Sequence, residues 1–195
     1  MPTQTFFNLA EDKKTRLLAV ARHEFEQVPF WEASIARIVR QADISRGSFY
    51  QYFANLEDLY FYLIFLEKDR FMKHHLASID WQDASSLLKS MKTFTGDYLK
   101  FIYQPDQVAF FKQVYLSMDH HALVEFDQYL QRCLDLRPSQ TWLQLEKSQA
   151  SPKIRFLVET IHRTISDGFL LGLSQSDCHL EICQRLDWLF YGLDY

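Results

Sequence analysis

Apolar side chains recur at three- and four-residue steps along most of the chain, with charged residues between them. Leu17, Ala21 and Phe25 lie four apart, on one face of a helix expected over about 11–27. Pro29 stops it. Ile35, Ile38, Val39 and Ala42 follow the i, i+3, i+4, i+7 pattern and predict a second helix over about 34–41. Asp43 falls at the next turn, a residue type that tolerates tight backbone. Ser45 is a good N-cap for a third helix. Ile44 and Phe49 occupy the two positions of a hydrophobic staple around that cap. A fourth helix is expected after Asn55, with Glu57 and Asp58 in its first turn, where the helix dipole favours negative charge.

The same period continues to the end. Leu87, Met91, Phe94, Tyr98 and Phe101 stripe a helix over about 84–103. Pro105 opens another, carrying Phe110, Phe111, Val114, Tyr115 and Met118. Leu123, Phe126, Leu130 and Leu134 mark a third, ended by Pro138. Ser151 and Pro152 read as N-cap and first helical residue of a long helix. Ile182, Leu186, Leu189 and Leu193 mark the last. The pattern predicts an all-α fold of about nine helices, with a three-helix helix-turn-helix domain over 1–53 (motif 34–53) and a larger helical domain over 54–195.

Composition agrees with helices. The 195 residues include 17 Phe and 10 Tyr but only 5 Gly and 5 Pro. No apolar run approaches the roughly 18 residues needed to span a bilayer. The first nine residues lack the basic-then-apolar order of a signal peptide. Cys133, Cys178 and Cys183 form no Cys-x-x-Cys pair, so a reduced, cytoplasmic chain without a disulfide frame is expected.

Charge changes the picture by its distribution. The net charge is −4. Residues 1–53 hold seven Lys/Arg against six Asp/Glu, whereas 54–195 hold fourteen against nineteen. An acidic C-terminal portion would repel nucleic acid, leaving the first fifty residues as the DNA face. That face is weakly basic, so salt-dependent non-specific binding should be modest.

Two helices of about seven residues joined by a short turn have the size of a helix-turn-helix. Periodicity alone would fit any helical hairpin. The outward face of the third helix adds chemistry. Arg46, Gly47, Ser48, Tyr50 and Gln51 surround a single inward anchor, Phe49. Gly47 is a poor helix former, explicable if a side chain there would collide with a partner surface. Ser48 and Gln51 can bond to base edges, and Arg46 to guanine or phosphate.

The stretch Ala42-Asp43-Ile44-Ser45-Arg46-Gly47-Ser48-Phe49-Tyr50-Gln51-Tyr52-Phe53, followed by Glu57-Asp58-Leu59, resembles the signature of TetR/AcrR-type transcriptional regulators. Leu17-Leu18, Ala21, Phe25, Ser34-Ile35 and Ile38 fit it in register, so the resemblance covers about residues 13–60. It implies roles by position. Ser34 would cap the second helix and touch a phosphate, and Arg37 would contact the backbone. Ser45, Arg46, Gly47 and Ser48 would approach the groove. Tyr50 and Tyr52 would contact phosphate or base edges, while Phe49, Phe53, Ile35 and Ile38 would be core. Three positions depart from the family. Pro29 and Asp43 stand where it usually has glycine, and Leu56 where a lysine commonly contacts phosphate. The last predicts a shallower salt slope.

The resemblance further implies a homodimeric, ligand-responsive regulator, most often a repressor, on near-palindromic double-stranded operator DNA. Its C-terminal helices would enclose a small-molecule pocket and pair two subunits. Phe65, Phe94, Tyr98, Phe101, Phe111 and Tyr115, with Phe61 and Tyr62, could line an aromatic cavity for an apolar or aromatic effector, or could be ordinary core. His75, His162, Arg163 and Asp167 are polar groups that could orient it. Gly168 and Gly172 permit close helix approach, with Ile161, Ile165, Leu186 and Leu189 as dimer candidates; packing inside one subunit is the alternative. No enzyme motif, resident cofactor or metal site is expected. Adjacent histidines, as in His74-His75 and Asp119-His120-His121, point apart on a helix. A regulator without an effector, its C-terminal half serving protein contacts, is one rival. A helical enzyme or cofactor carrier is another.

Overall fold

The structure, a computed structural model, describes residues 1–136 and 152–192, apart from a few side chains. Among the described residues there are ten α-helices and no strand. They are α1 (Gln4–Phe7), α2 (Glu11–Gln27), α3 (Ile35–Ala42), α4 (Arg46–Tyr52), α5 (Leu56–His75), α6 (Ala84–Ile102), α7 (Val108–Ser117), α8 (His120–Leu136), α9 (Pro152–Leu171) and α10 (Gln175–Tyr191). The periodic stripes account for nine. The tenth, α1, is four residues long and too short to show a period. The Leu134 side chain, Pro138, Ser151 and Leu193 lie outside the described residues. Pro105 does not open α7; the helix begins three residues later, at Val108.

Packing divides the chain into two compact units, residues 1–68 with 109–137, and 69–108 with 138–195. In the first, Leu17, Ala21 and Phe25 of α2 are buried with Ile38, Phe49, Phe53 and Leu59. Aromatic rings fill much of this core. Phe25 and Phe30 both contact Tyr60, at 4.8 and 4.7 Å between centroids. Phe61 meets Phe126 and Tyr129 edge-on. Arg22 of α2 bonds Glu26 and Glu67 and lies over the Phe110 ring, so α2, α5 and α7 are tied at one point.

The second unit packs α10 against α6 and α9. Two of its glycines are explained by close approach. A Cβ on Gly96 would come 2.9 Å from the His179 ring, and one on Gly168 would come 2.8 Å from the Cys178 sulfur. His179 uses that space to reach the Lys92 carbonyl at 2.9 Å. Ile165 and Leu186 are also buried within this unit. This corrects the expectation that Ile165, Gly168 and Leu186 meet a second subunit: their surfaces are covered by their own chain. Gly172, with φ +70°, ends α9, where the N–H of Leu173 bonds back to the Gly168 carbonyl at 2.9 Å. It terminates a helix and has no close neighbour of its own. Ile161 is half-buried and Leu189 exposed. Among the described residues, no helix is long and apolar enough to cross a membrane.

Candidate nucleic-acid interface

The candidate reading head is built from α3, a tight turn and α4. Asp43 takes φ 58° and ψ 49°, the left-handed conformation that usually asks for glycine. The N–H groups of Asp43 and Ile44 both bond back to the Val39 carbonyl, ending α3 within one residue. Arg16 steadies the turn from α2, with its guanidinium 3.8 Å from the Asp43 carboxylate and a bond to the Gln41 carbonyl. Ser45 then starts α4. Its hydroxyl oxygen accepts the Ser48 N–H at 2.9 Å, satisfying one of the donors a helix start leaves open. Ile44 is half-buried and Phe49 fully buried, as a staple requires.

The start of α3 is organised differently from the expectation. Ser34 occupies the N-cap position, yet its side chain makes no capping bond. The cap comes from Glu24 of α2, whose buried carboxylate accepts the Ser34 N–H at 2.9 Å. The same carboxylate takes the Arg37 Nε–H at 2.8 Å, and Arg37 also donates to the Glu32 carbonyl. This corrects the reading of Arg37 as a plain phosphate contact. Its guanidinium is paired inside the domain and holds α3 on α2.

The outward surface of α4 is largely open. Arg46, Gly47 and Gln51 are exposed, and Tyr50 is 46% exposed. Arg46 leans over Tyr50, its guanidinium carbon 5.9 Å from the ring centroid and Nη2 3.5 Å from the hydroxyl. Both contacts are loose enough to exchange for a partner's groups. Ser48 is half-buried, and its hydroxyl lies 2.8 Å from that of Ser45. The two serines therefore satisfy each other. Tyr52 is half-buried, its ring 6.4 Å from Phe6. Its hydroxyphenyl body belongs partly to the core. Gly47 has no internal reason to lack a side chain: a Cβ would lie 3.7 Å from the Ser45 oxygen, an ordinary contact.

Two contributors were missed from the sequence. Glu24 lies on the buried stripe of α2, one residue before Phe25. A carboxylate on an apolar face was the signal. The segment before α2 was the other: Phe6 is buried and packs on Phe53 at 4.9 Å.

The aromatic residues expected at an effector pocket divide between the two units. Phe65, Phe111 and Tyr115 belong to the first, the latter two buried. Phe94, Tyr98 and Phe101 belong to the second, gathered around Phe71 at 5.4, 5.1 and 5.4 Å. His75 stacks on Phe71 at 4.0 Å, and Arg70 covers Phe101. His162 is half-buried in the same unit, and Arg163 pairs with Asp167 along α9.

The comparisons with known proteins fit this geometry. The family model for bacterial regulatory proteins of the tetR family matches residues 17–63, from α2 into α5. No curated protein matches the sequence. Three solved structures share the fold. The fatty acid degradation regulator FadR from Bacillus halodurans is 16% identical, with a TM-score of 0.61 over 96% of this chain and 100% of its own. A TetR-like transcriptional regulator from Rhodococcus sp. RHA1 is 19% identical, with 0.56 over 93% and 97%. NalD, the secondary repressor of the MexAB-OprM multidrug efflux pump in Pseudomonas aeruginosa, is 16% identical, with 0.56 over 95% and 99%.

Proposed function

Given that residues 17–63 make the chain a DNA-binding transcriptional regulator of the TetR family, we propose that it is a homodimeric, ligand-responsive repressor. Its α4 helices would enter successive major grooves of a near-palindromic operator. The observation that carries the reading is the open face of α4. Arg46, Gly47, Tyr50 and Gln51 are presented outward on a helix fixed at its start by Ser45 and from beneath by Phe49. Arg37 and Ser45, by contrast, act mainly by holding the motif's shape. The division of roles, reading in 1–53 and effector binding and dimerisation in 54–195, is part of the proposal.

Large apolar side chains support the dimer. Phe156, Leu170 and Leu171 of α9, and Leu180, Trp188 and Leu189 of α10, are exposed on the single chain. Exposed apolar surface on this scale marks a contact site. The ring cluster around Phe71 supports an apolar or aromatic effector. Its mechanism is differential binding: a ligand preferring the subunit arrangement with misplaced reading heads releases DNA. A coupling of roughly 1–3 kcal/mol changes affinity roughly 5- to 150-fold.

Selection of bound sites from a random duplex pool tests this. The expected result is an enriched near-palindrome with half-sites one helical turn apart, roughly 34–36 Å. A pool with no enriched sequence contradicts it. Release of that operator by an apolar compound separates a ligand-responsive regulator from one using its C-terminal half for protein contacts.

A further inference from the structure

The seven-residue α4 leaves its last carbonyls without partners inside the helix. Two of them are taken by a residue far away in sequence. The Thr3 hydroxyl donates to the Gln51 carbonyl at 2.5 Å, and the Thr3 N–H donates to the Tyr52 carbonyl at 2.9 Å. Three residues on, Phe6 is 1% exposed and sits among Tyr52, Phe53 and Tyr62, at 6.4, 4.9 and 5.6 Å between centroids. Tyr62 is on α5, so one short segment joins the end of α4 to the next helix. Thr3 also caps α1, its oxygen accepting the Phe6 N–H. The hydroxyl thus orders the segment and grips α4 at once.

We propose that Thr3–Phe7 is a latch that positions the recognition helix for DNA, and that Thr3 is its positioning residue. The match to the family model begins only at residue 17, so this segment lies outside it. Ser45 and Ser48 fix the start of α4 by bonds within the motif. The latch fixes the other end, next to the exposed Tyr50 and Gln51. With both ends held, the helix meets DNA already ordered, and binding does not have to order it. Without the latch, the final turn of α4 loosens while the Phe49 anchor stays in the core.

This inference rests on the DNA-binding reading, and its test has one arm that needs no DNA. Thr3→Val removes the hydroxyl and keeps the backbone donor; Thr3→Ser restores it. Amide hydrogen exchange on the free protein is expected to quicken at residues 49–53 in Thr3→Val, with α2 unchanged and Thr3→Ser like the parent. On the selected operator, Thr3→Val should bind about fivefold more weakly, the worth of one net hydrogen bond, with a smaller loss on unrelated duplex. Unchanged exchange at 49–53 overturns the latch, whatever the DNA result. Quickened exchange throughout the first unit, with equal losses on both duplexes, overturns it in favour of general destabilisation. If the parent selects no operator, the functional reading fails while the exchange arm still decides whether Thr3 holds α4.

Discussion

Gly47 and Glu24 separate what the motif reads with from what holds it. Nothing in the protein requires glycine at 47, since a Cβ there would meet only the Ser45 oxygen at 3.7 Å. Gly47→Ala should therefore stabilise the fold by about 0.5–1 kcal/mol through helix propensity. If DNA approaches that point, the added methyl should weaken operator binding at least about tenfold. A rise in melting temperature together with a fall in affinity is the expected pair of results. Glu24 is the converse. Glu24→Gln weakens the bonds to the Ser34 N–H and the Arg37 guanidinium and should cost about 1.5–3 kcal/mol, readable in urea unfolding. Its operator affinity should fall only as far as α3 loosens.

At the scale of elements, the period of apolar positions placed the helices because each helix buries one face, and burial needs only spacing. Ser45 was legible for the same local reason: a cap is chosen by the helix it starts. Three features were not local. The four residues of α1 show no period, and the use of Thr3 depends on a helix end nearly fifty residues away. Glu24 became visible as a cap only once α2 and α3 were packed. Gly168 was read as a possible contact with a second subunit, but periodicity shows which face is apolar and not what covers it; here Cys178 covers it.

One element boundary predicts a pH dependence. Burial, then the nearby Glu125 carboxylate, raises the Glu57 pKa above its ordinary value of 4.5, while His121 opposes the rise. His121 faces Glu125 at 3.3 Å on α8. A carboxyl whose folded pKa is raised binds its proton more tightly folded than unfolded. Its protonated form favours folding, and that contribution is lost as pH rises through the folded value. Glu57→Gln should thus raise the melting temperature near neutral pH, with the gain shrinking as pH falls below the ordinary carboxyl value. A gain equal at both ends of a pH series contradicts this.

For the whole molecule, two-headed binding has to supply affinity that charge does not. The first 53 residues carry seven basic side chains against six acidic ones, and Leu56 places no cation at the start of α5. A shallow salt slope and a strong dependence on dimerisation are expected together. Trp188 and Leu189 are 43% and 38% exposed, so charged substitutions there spare the core. Trp188→Asp with Leu189→Asp should give folded monomers in sedimentation, with operator affinity down by about a hundredfold or more. A variant that stays dimeric places the subunit contact elsewhere.

The central claim is that the exposed face of α4 reads DNA sequence. Replacing Arg46 and Tyr50 together by alanine tests it most directly, because both are exposed and neither supports the core. With the helical circular dichroism and melting temperature retained, affinity for the selected operator should drop about a hundredfold or more, and far less on an unrelated duplex. A folded double variant that binds its operator as tightly as the parent would show that α4 is not the reading head.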